Sequence, residues 1–330
     1  MKHLSLTLPV IVLIFFNIAI NNRTYAQNED HIKLTWLGES EPSIASGVSW
    51  GVPFSEGKIK SLNQFELTDD GGNQLPLQSW KLAYWPDGSY KWVGFSTVVS
   101  SKSGTVFNLK SNKKTEKQNP FTKLSISENE ESIHIDTGVL QGIISKSGNK
   151  IFSSLIVDGK EISSGSQLIC IIQNGPEKEI GVQPAKEKFV GNISKVTVEQ
   201  KGPVRSVIKL EGYHKSELGE REWLPFIVRL YFYAGQQSVK LIHTIIYDGE
   251  QEQDFIRGLG ITFDIPLNEE TYNRHIRFSG ENNGLWDEPI QPLIGRGRLS
   301  YKGEDYYSAQ LKGERIPNRD TFSSKQQFLL

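Results

Sequence analysis

Residues able to grip an anion or move a proton are concentrated between positions 223 and 290, where Arg229, Tyr231, Lys240, His243, Tyr247, His275 and Arg277 occur together. An imidazole and a phenol, His243 and Tyr247, stand four residues apart. Arg229 and Lys240 bring positive charge, and Tyr231 lies between them. Asn273-Arg274-His275-Ile276-Arg277 places cations and an imidazole in one short segment before a glycine-containing loop, 280–284. That mixture suits carboxylate recognition, because charged donors form the strongest hydrogen bonds to carboxylates. Trp286 follows the loop and offers a face on which a sugar ring can stack. Each residue also has a plainer reading. His243 and Tyr247 suit a hydrogen-bonded core pair, Arg229, Tyr231 and Lys240 a solvated sheet face, and Trp286 a plug at the end of a sandwich.

The elements that must carry these residues read as strands. Residues 224–233 and 238–247 alternate with period two and are joined by Ala234-Gly235-Gln236-Gln237. If Tyr233 pairs with Ser238, one face carries Phe226, Val228, Leu230, Phe232, Leu241, His243 and Tyr247 and is the expected core face. The other carries Arg229, Tyr231, Tyr233 and Lys240 and is expected to be open and mixed. Similar alternation recurs along the chain. Pro86-Asp87-Gly88 marks a hairpin between two aromatic-rich runs, and Asp69-Asp70-Gly71-Gly72-Asn73 and Lys201-Gly202-Pro203 mark further turns. No stretch beyond residue 26 shows sustained helical periodicity, so the expected class is all-β, ending in an antiparallel sandwich.

Composition narrows the partners. With 37 basic and 38 acidic residues the net charge is -1, which gives no electrostatic reason to expect nucleic acid. Lys2-His3, an apolar run over 4–20 and Thr24-Tyr25-Ala26 form a cleavable export signal, so a secreted or periplasmic chain starting near Gln27 is expected, without a stable membrane anchor. Cys170 is the single cysteine; it lies in an apolar run and reads as an inert core thiol. No Cys/His spacing fits zinc and no Gly-rich Lys-Ser/Thr loop fits a nucleotide, so no metal or cofactor is expected. Five of the seven tryptophans fall between Trp36 and Trp92, which suits the core of a small aromatic barrel better than a sugar-binding face. The polar run 111–119 divides a unit at 27–110 from a second at 120–330. Residues 300–330 are polar and lack a clear terminal element, which fits either a tail or a sandwich left incomplete.

Two stretches resemble a known family. Gly47-Val48-Ser49-Trp50-Gly51-Val52-Pro53-Phe54, followed by Trp85-Pro86-Asp87-Gly88-Ser89-Tyr90-Lys91-Trp92, is similar to the N-terminal barrel of the exo-rhamnogalacturonan lyase/YetA-like family. The segment 223–235, with His243-Thr244-Ile245-Ile246-Tyr247-Asp248-Gly249 and Gly284-Leu285-Trp286-Asp287-Glu288-Pro289, resembles its central β-sandwich. The resemblance implies a RIFT-type barrel, then an antiparallel β-sandwich, then an (α/α) toroid for which this chain supplies no helix-periodic region. It also implies β-elimination on rhamnogalacturonan or a related uronate-containing glycan. Such a lyase needs a cation to neutralise the uronate carboxylate, a base for the adjacent proton and an acid for the leaving oxygen. His243, Tyr247 and His275 are then the catalytic candidates, and Arg229, Tyr231, Lys240, Arg277 and Trp286 the substrate-binding ones. Two alternatives stay open: a non-catalytic carbohydrate-binding or structural fragment lacking the toroid, and a cell-envelope protein using the same domains for protein contacts. Architecture alone does not choose among them.

Overall fold

The computed structural model describes residues 31–37, 41–42, 44–100, 103–111, 124–175, 184–268, 270, 274–279, 285–289, 300–301 and 304–305. The export signal, residues 112–119 of the expected linker, the 280–284 loop and the tail beyond 305 lie outside the described residues. Among those described, every regular element is a strand.

The first unit contains β1 (His31–Thr35), β2 (Ser46–Pro53), β3 (Phe65–Thr68), β4 (Gln74–Leu75), β5 (Gln78–Tyr84), β6 (Tyr90–Val99) and β7 (Val106–Ser111). Ser111, placed at the start of the linker by composition, is the last residue of β7. A four-stranded sheet, β1-β7-β3-β4, and a three-stranded sheet, β2-β6-β5, close on one core containing Phe54, Phe65, Phe95 and Phe107. Phe65 meets Phe95 edge to face at 4.8 Å, and Trp50 stacks on Phe95 at 5.7 Å. The expected hairpin joins β5 to β6. Gly88 takes φ +81°, Gly88 N–H donates to the Trp85 carbonyl, and Trp85 N–H donates to Ser89.

The second unit contains β8 (Ser125–Glu128), β9 (Ser132–Asp136), β10 (Leu140–Ser145), β11 (Ser154–Val157), β12 (Lys160–Ser163), β13 (Gly165–Gln173), β14 (Lys186–Gln200), β15 (Arg205–Ser216), β16 (Glu222–Tyr233), β17 (Lys240–Ile245) and β18 (Phe255–Asp264). Strands β12-β11-β10-β9-β8 form one antiparallel sheet and β17-β16-β15-β14-β13-β18 another. They bury a shared core that includes Ile133, Leu140, Leu210, Val228 and Phe232. Two short ladders follow, β19 (His275–Ser279) with β20 (Leu285–Pro289), and β21 (Ser300–Tyr301) with β22 (Glu304–Asp305).

The pairing of β16 with β17 sets which residues share a face. Tyr231 pairs with Lys240 and Val228 with His243, the register that a Tyr233–Ser238 partnership implies. Phe226, Val228, Leu230 and Phe232 point into the core as expected. Two expectations fail. Strand β17 ends at Ile245, so Tyr247 lies outside the sheet and is 44% exposed instead of lining the core. Its hydroxyl donates to the Asp254 carbonyl (3.1 Å) and closes the turn that follows β17. Tyr233, expected on an open face, is buried because the first unit covers it. Its ring occupies the space a Cβ on Gly47 would need, 2.0 Å from that position, and its hydroxyl is 3.3 Å from Ser49 Oγ.

Candidate functional site

Where the first unit meets the outer face of the long sheet, a cleft of about 820 Å³ opens. The barrel side contributes Trp36, Trp50 and Phe107, and the sheet side contributes Arg205, Tyr231, Tyr233 and Lys240. Trp36 packs edge to face against Phe107 at 5.6 Å and forms part of the aromatic wall. No Asp or Glu occurs among the described residues lining the cleft.

Two cations define its electrostatics. The Arg205 guanidinium centre lies 5.6 Å from the Tyr231 ring centroid, and Lys240 Nζ lies 5.9 Å from it. Neither side chain forms an ion pair among the described residues. Arg205 is held in place nonetheless. Its guanidinium lies over Trp80 of β5 at 4.2 Å, its Nη1 donates to Ser49 Oγ (2.7 Å), and its Nε and Nη2 donate to Gln200 Oε1. One N–H on each terminal nitrogen is left over. A planar cation fixed on an aromatic face, beside a second cation and without a counter-charge among the described residues, is suited to receive an anionic group.

The residues singled out by composition and spacing separate on this framework. Tyr231 and Lys240 line the cleft. Arg229 shares their side of β16, but its fork is taken by Glu199, with Nε to Oε2 at 2.8 Å and Nη2 to Oε1 at 3.0 Å. The pair holds the Glu199 carboxyl below its ordinary range. His243 projects from the opposite face of β17. Its Nε2 is buried and has no partner among the described residues, and burial together with the nearby His214 lowers its pKa. Tyr247 packs edge to face on Trp223 at 5.9 Å, beyond the strand. His275 and Arg277 are exposed on β19, two residues apart and thus on one side of it, and do not line the cleft. Trp286 pairs with Phe278 in the β19–β20 ladder, and its side chain lies outside what the structure describes.

Arg205, Trp36 and Trp50 are cleft residues that sequence reasoning did not assign to a site, and Trp80 supports Arg205 from beside the cleft. The tryptophans were expected in the core, and in part they are there. The signal for Arg205 is its position two residues after Pro203 of the Lys201-Gly202-Pro203 turn, where a cation opens a long strand. No group of three His, Cys, Asp or Glu residues suited to hold a metal occurs among the described residues.

The two units have counterparts in known proteins. The PcRGLX-like N-terminal RIFT barrel domain matches residues 30–112, and the PcRGLX-like protein central β-sandwich domain matches residues 124–330. This all-β chain, a RIFT barrel followed by a β-sandwich, belongs to the PcRGLX-like family, in agreement with the resemblance carried by its two motif stretches. It is 37% identical over 284 residues to the uncharacterized protein YetA of Bacillus subtilis (strain 168). The match covers 86% of this chain and 32% of that relative, so the chain spans about a third of the relative's length.

Proposed function

We propose that this chain is the barrel-and-sandwich portion of an exported polysaccharide lyase-like protein that acts on rhamnogalacturonan or a related uronate-containing glycan. The observation that carries the proposal is the pairing of Arg205 and Lys240 around Tyr231 in an aromatic-walled cleft with no acidic side chain among the described lining residues. Tyrosine and tryptophan faces receive sugar rings, and the two cations receive a uronate carboxylate. Trp50 lines the same cleft and adds an aromatic face to its wall.

The reaction proposed for the whole protein is β-elimination. Neutralising the carboxylate acidifies the proton on the neighbouring carbon, a base removes that proton, and the glycosidic oxygen leaves. Arg205 and Lys240 are the neutralising groups in this reading. A specific observation favours binding without chemistry as the role of this portion by itself: His243, the imidazole first proposed as a base, faces away from the cleft. Ultraviolet absorbance with the purified chain on rhamnogalacturonan separates the readings. A rise from unsaturated uronate places elimination within these residues, whereas affinity without a rise assigns them binding alone. Neither affinity nor a rise removes the glycan and leaves protein contacts as the role of the cleft.

A further inference from the structure

We infer that Gln78 of the barrel is a positioning residue for the cleft, clamping the turn between β14 and β15 so that Arg205 meets its ligand already oriented. Gln78 and Trp80 are two residues apart on β5 and therefore share a face. Trp80 carries the flat of the Arg205 guanidinium at 4.2 Å. Gln78 holds the backbone from which that side chain departs: its Oε1 accepts the N–H of Val204 (3.0 Å) and of Arg205 (2.7 Å). Gln78 and Val204 are both buried, so water does not replace this acceptor when it is lost. The turn is shaped for the clamp. A Cβ on Gly202 would lie 2.2 Å from Gln78 Nε2 and 2.3 Å from its Cδ, so only glycine lets the amide lie against the turn.

The arrangement divides the work between the two units. The sheet supplies the cation and, through Gln200, one acceptor for its Nε and Nη2, while the barrel adds Gln78 on the backbone, Trp80 on the guanidinium face and Ser49 on Nη1. An arginine fixed in this way loses little freedom on binding. The inference rests on the proposed role of the cleft for its consequence, and on the clamp geometry alone for its structural part.

Both parts are tested with Gln78→Leu, which keeps the bulk and removes the acceptor, and with Gly202→Ala, which displaces the amide by one methyl group. Gln78→Glu keeps the acceptor oxygens and serves as the rescue. Amide hydrogen exchange at Val204 and Arg205 is expected to accelerate in the Leu and Ala variants and to stay slow in Gln78→Glu. Affinity for a rhamnogalacturonan oligosaccharide is expected to fall about tenfold in Gln78→Leu, the scale of a lost pre-organised contact, and not to fall further when the change is made in an Arg205→Ala background. Unchanged exchange at the two amides, or an equal loss of affinity in both backgrounds, overturns the inference. If the unaltered chain does not bind the oligosaccharide, the glycan reading fails and amide exchange decides the clamp without it.

Discussion

The imidazoles of His214 and His243 stand 6.2 Å apart between ring centroids, on β15 and β17, and each keeps a buried Nε2 with no partner among the described residues. The tautomer of His214 follows from its surroundings. Its Nδ1 is 2.8 Å from the Leu224 carbonyl, which can only accept, so the neutral ring carries its proton on Nδ1 and a bare lone pair on Nε2. Phe226 packs edge to face against both rings. Cys170 and Trp223 belong to the core at this end of the sheet, Asp248 accepts the Leu224 N–H, and Asp254 is committed to Arg221.

This pair makes the fold sensitive to mild acid. Burial lowers both histidines from the ordinary value of 6.5, and for His243 the neighbouring His214 adds to the effect. The unfolded chain therefore takes up protons that the folded chain does not. The histidine contribution is fully present above the unfolded value and is lost as pH falls below 6.5. The carboxylates of Glu199 and Asp254, held low by their arginine partners, add to acid lability only at lower pH, below their ordinary values of 4.5 and 3.8. Thermal unfolding followed from pH 7.5 down to about 5 is expected to show a falling melting temperature, with a shallower fall in His243→Phe. Equal slopes in the two proteins would contradict this account of the pair.

The seat of Tyr233 on Gly47 predicts a one-methyl lesion. Gly47→Ala puts a Cβ 2.0 Å from the ring and forces the barrel off the sheet. Overpacking of this kind costs about 1–3 kcal/mol. Urea unfolding is expected to show that loss, and the double variant Gly47→Ala/Tyr233→Ala to lose less than the sum of the two single changes.

Cys170 is expected to be silent until the fold opens. It is fully buried on β13, and burial pushes its thiol up to about 11. The thiolate is the reactive form, so labelling at pH 8 proceeds only after unfolding. Labelling of the native chain at the rate of a free thiol would contradict the observed packing.

Much of this architecture was legible in the residues themselves, and the reason lies in local pattern. Period-two alternation and the 234–237 turn predicted the β16–β17 register, and Pro86-Asp87-Gly88 predicted the β5–β6 hairpin, because both depend on neighbours in sequence. The cleft was only half legible. Tyr231 and Lys240 stood out through their strand, but Arg205 became a site residue only through Gln78, Trp80 and Ser49, all more than 120 positions away. Composition carries no trace of such a contact. The same limit explains Tyr233, whose face looks open until the barrel is laid across it. Arg229 was legible as a cation but not as a neutralised one, because its partner Glu199 lies two strands away on β14.

The central claim is that the cleft receives an acidic glycan through Arg205 and Lys240, and calorimetric titration with a rhamnogalacturonan oligosaccharide and its carboxyl-reduced counterpart tests it most directly. The account predicts binding of the acidic form and weak or no binding of the reduced form. It also predicts an affinity loss of at least about tenfold in Arg205→Ala and in Lys240→Ala, as removal of a charge-assisted contact implies, with little change in Arg229→Ala. Equal affinity for the acidic and reduced forms, or full affinity in the Arg205→Ala/Lys240→Ala double variant, would contradict it.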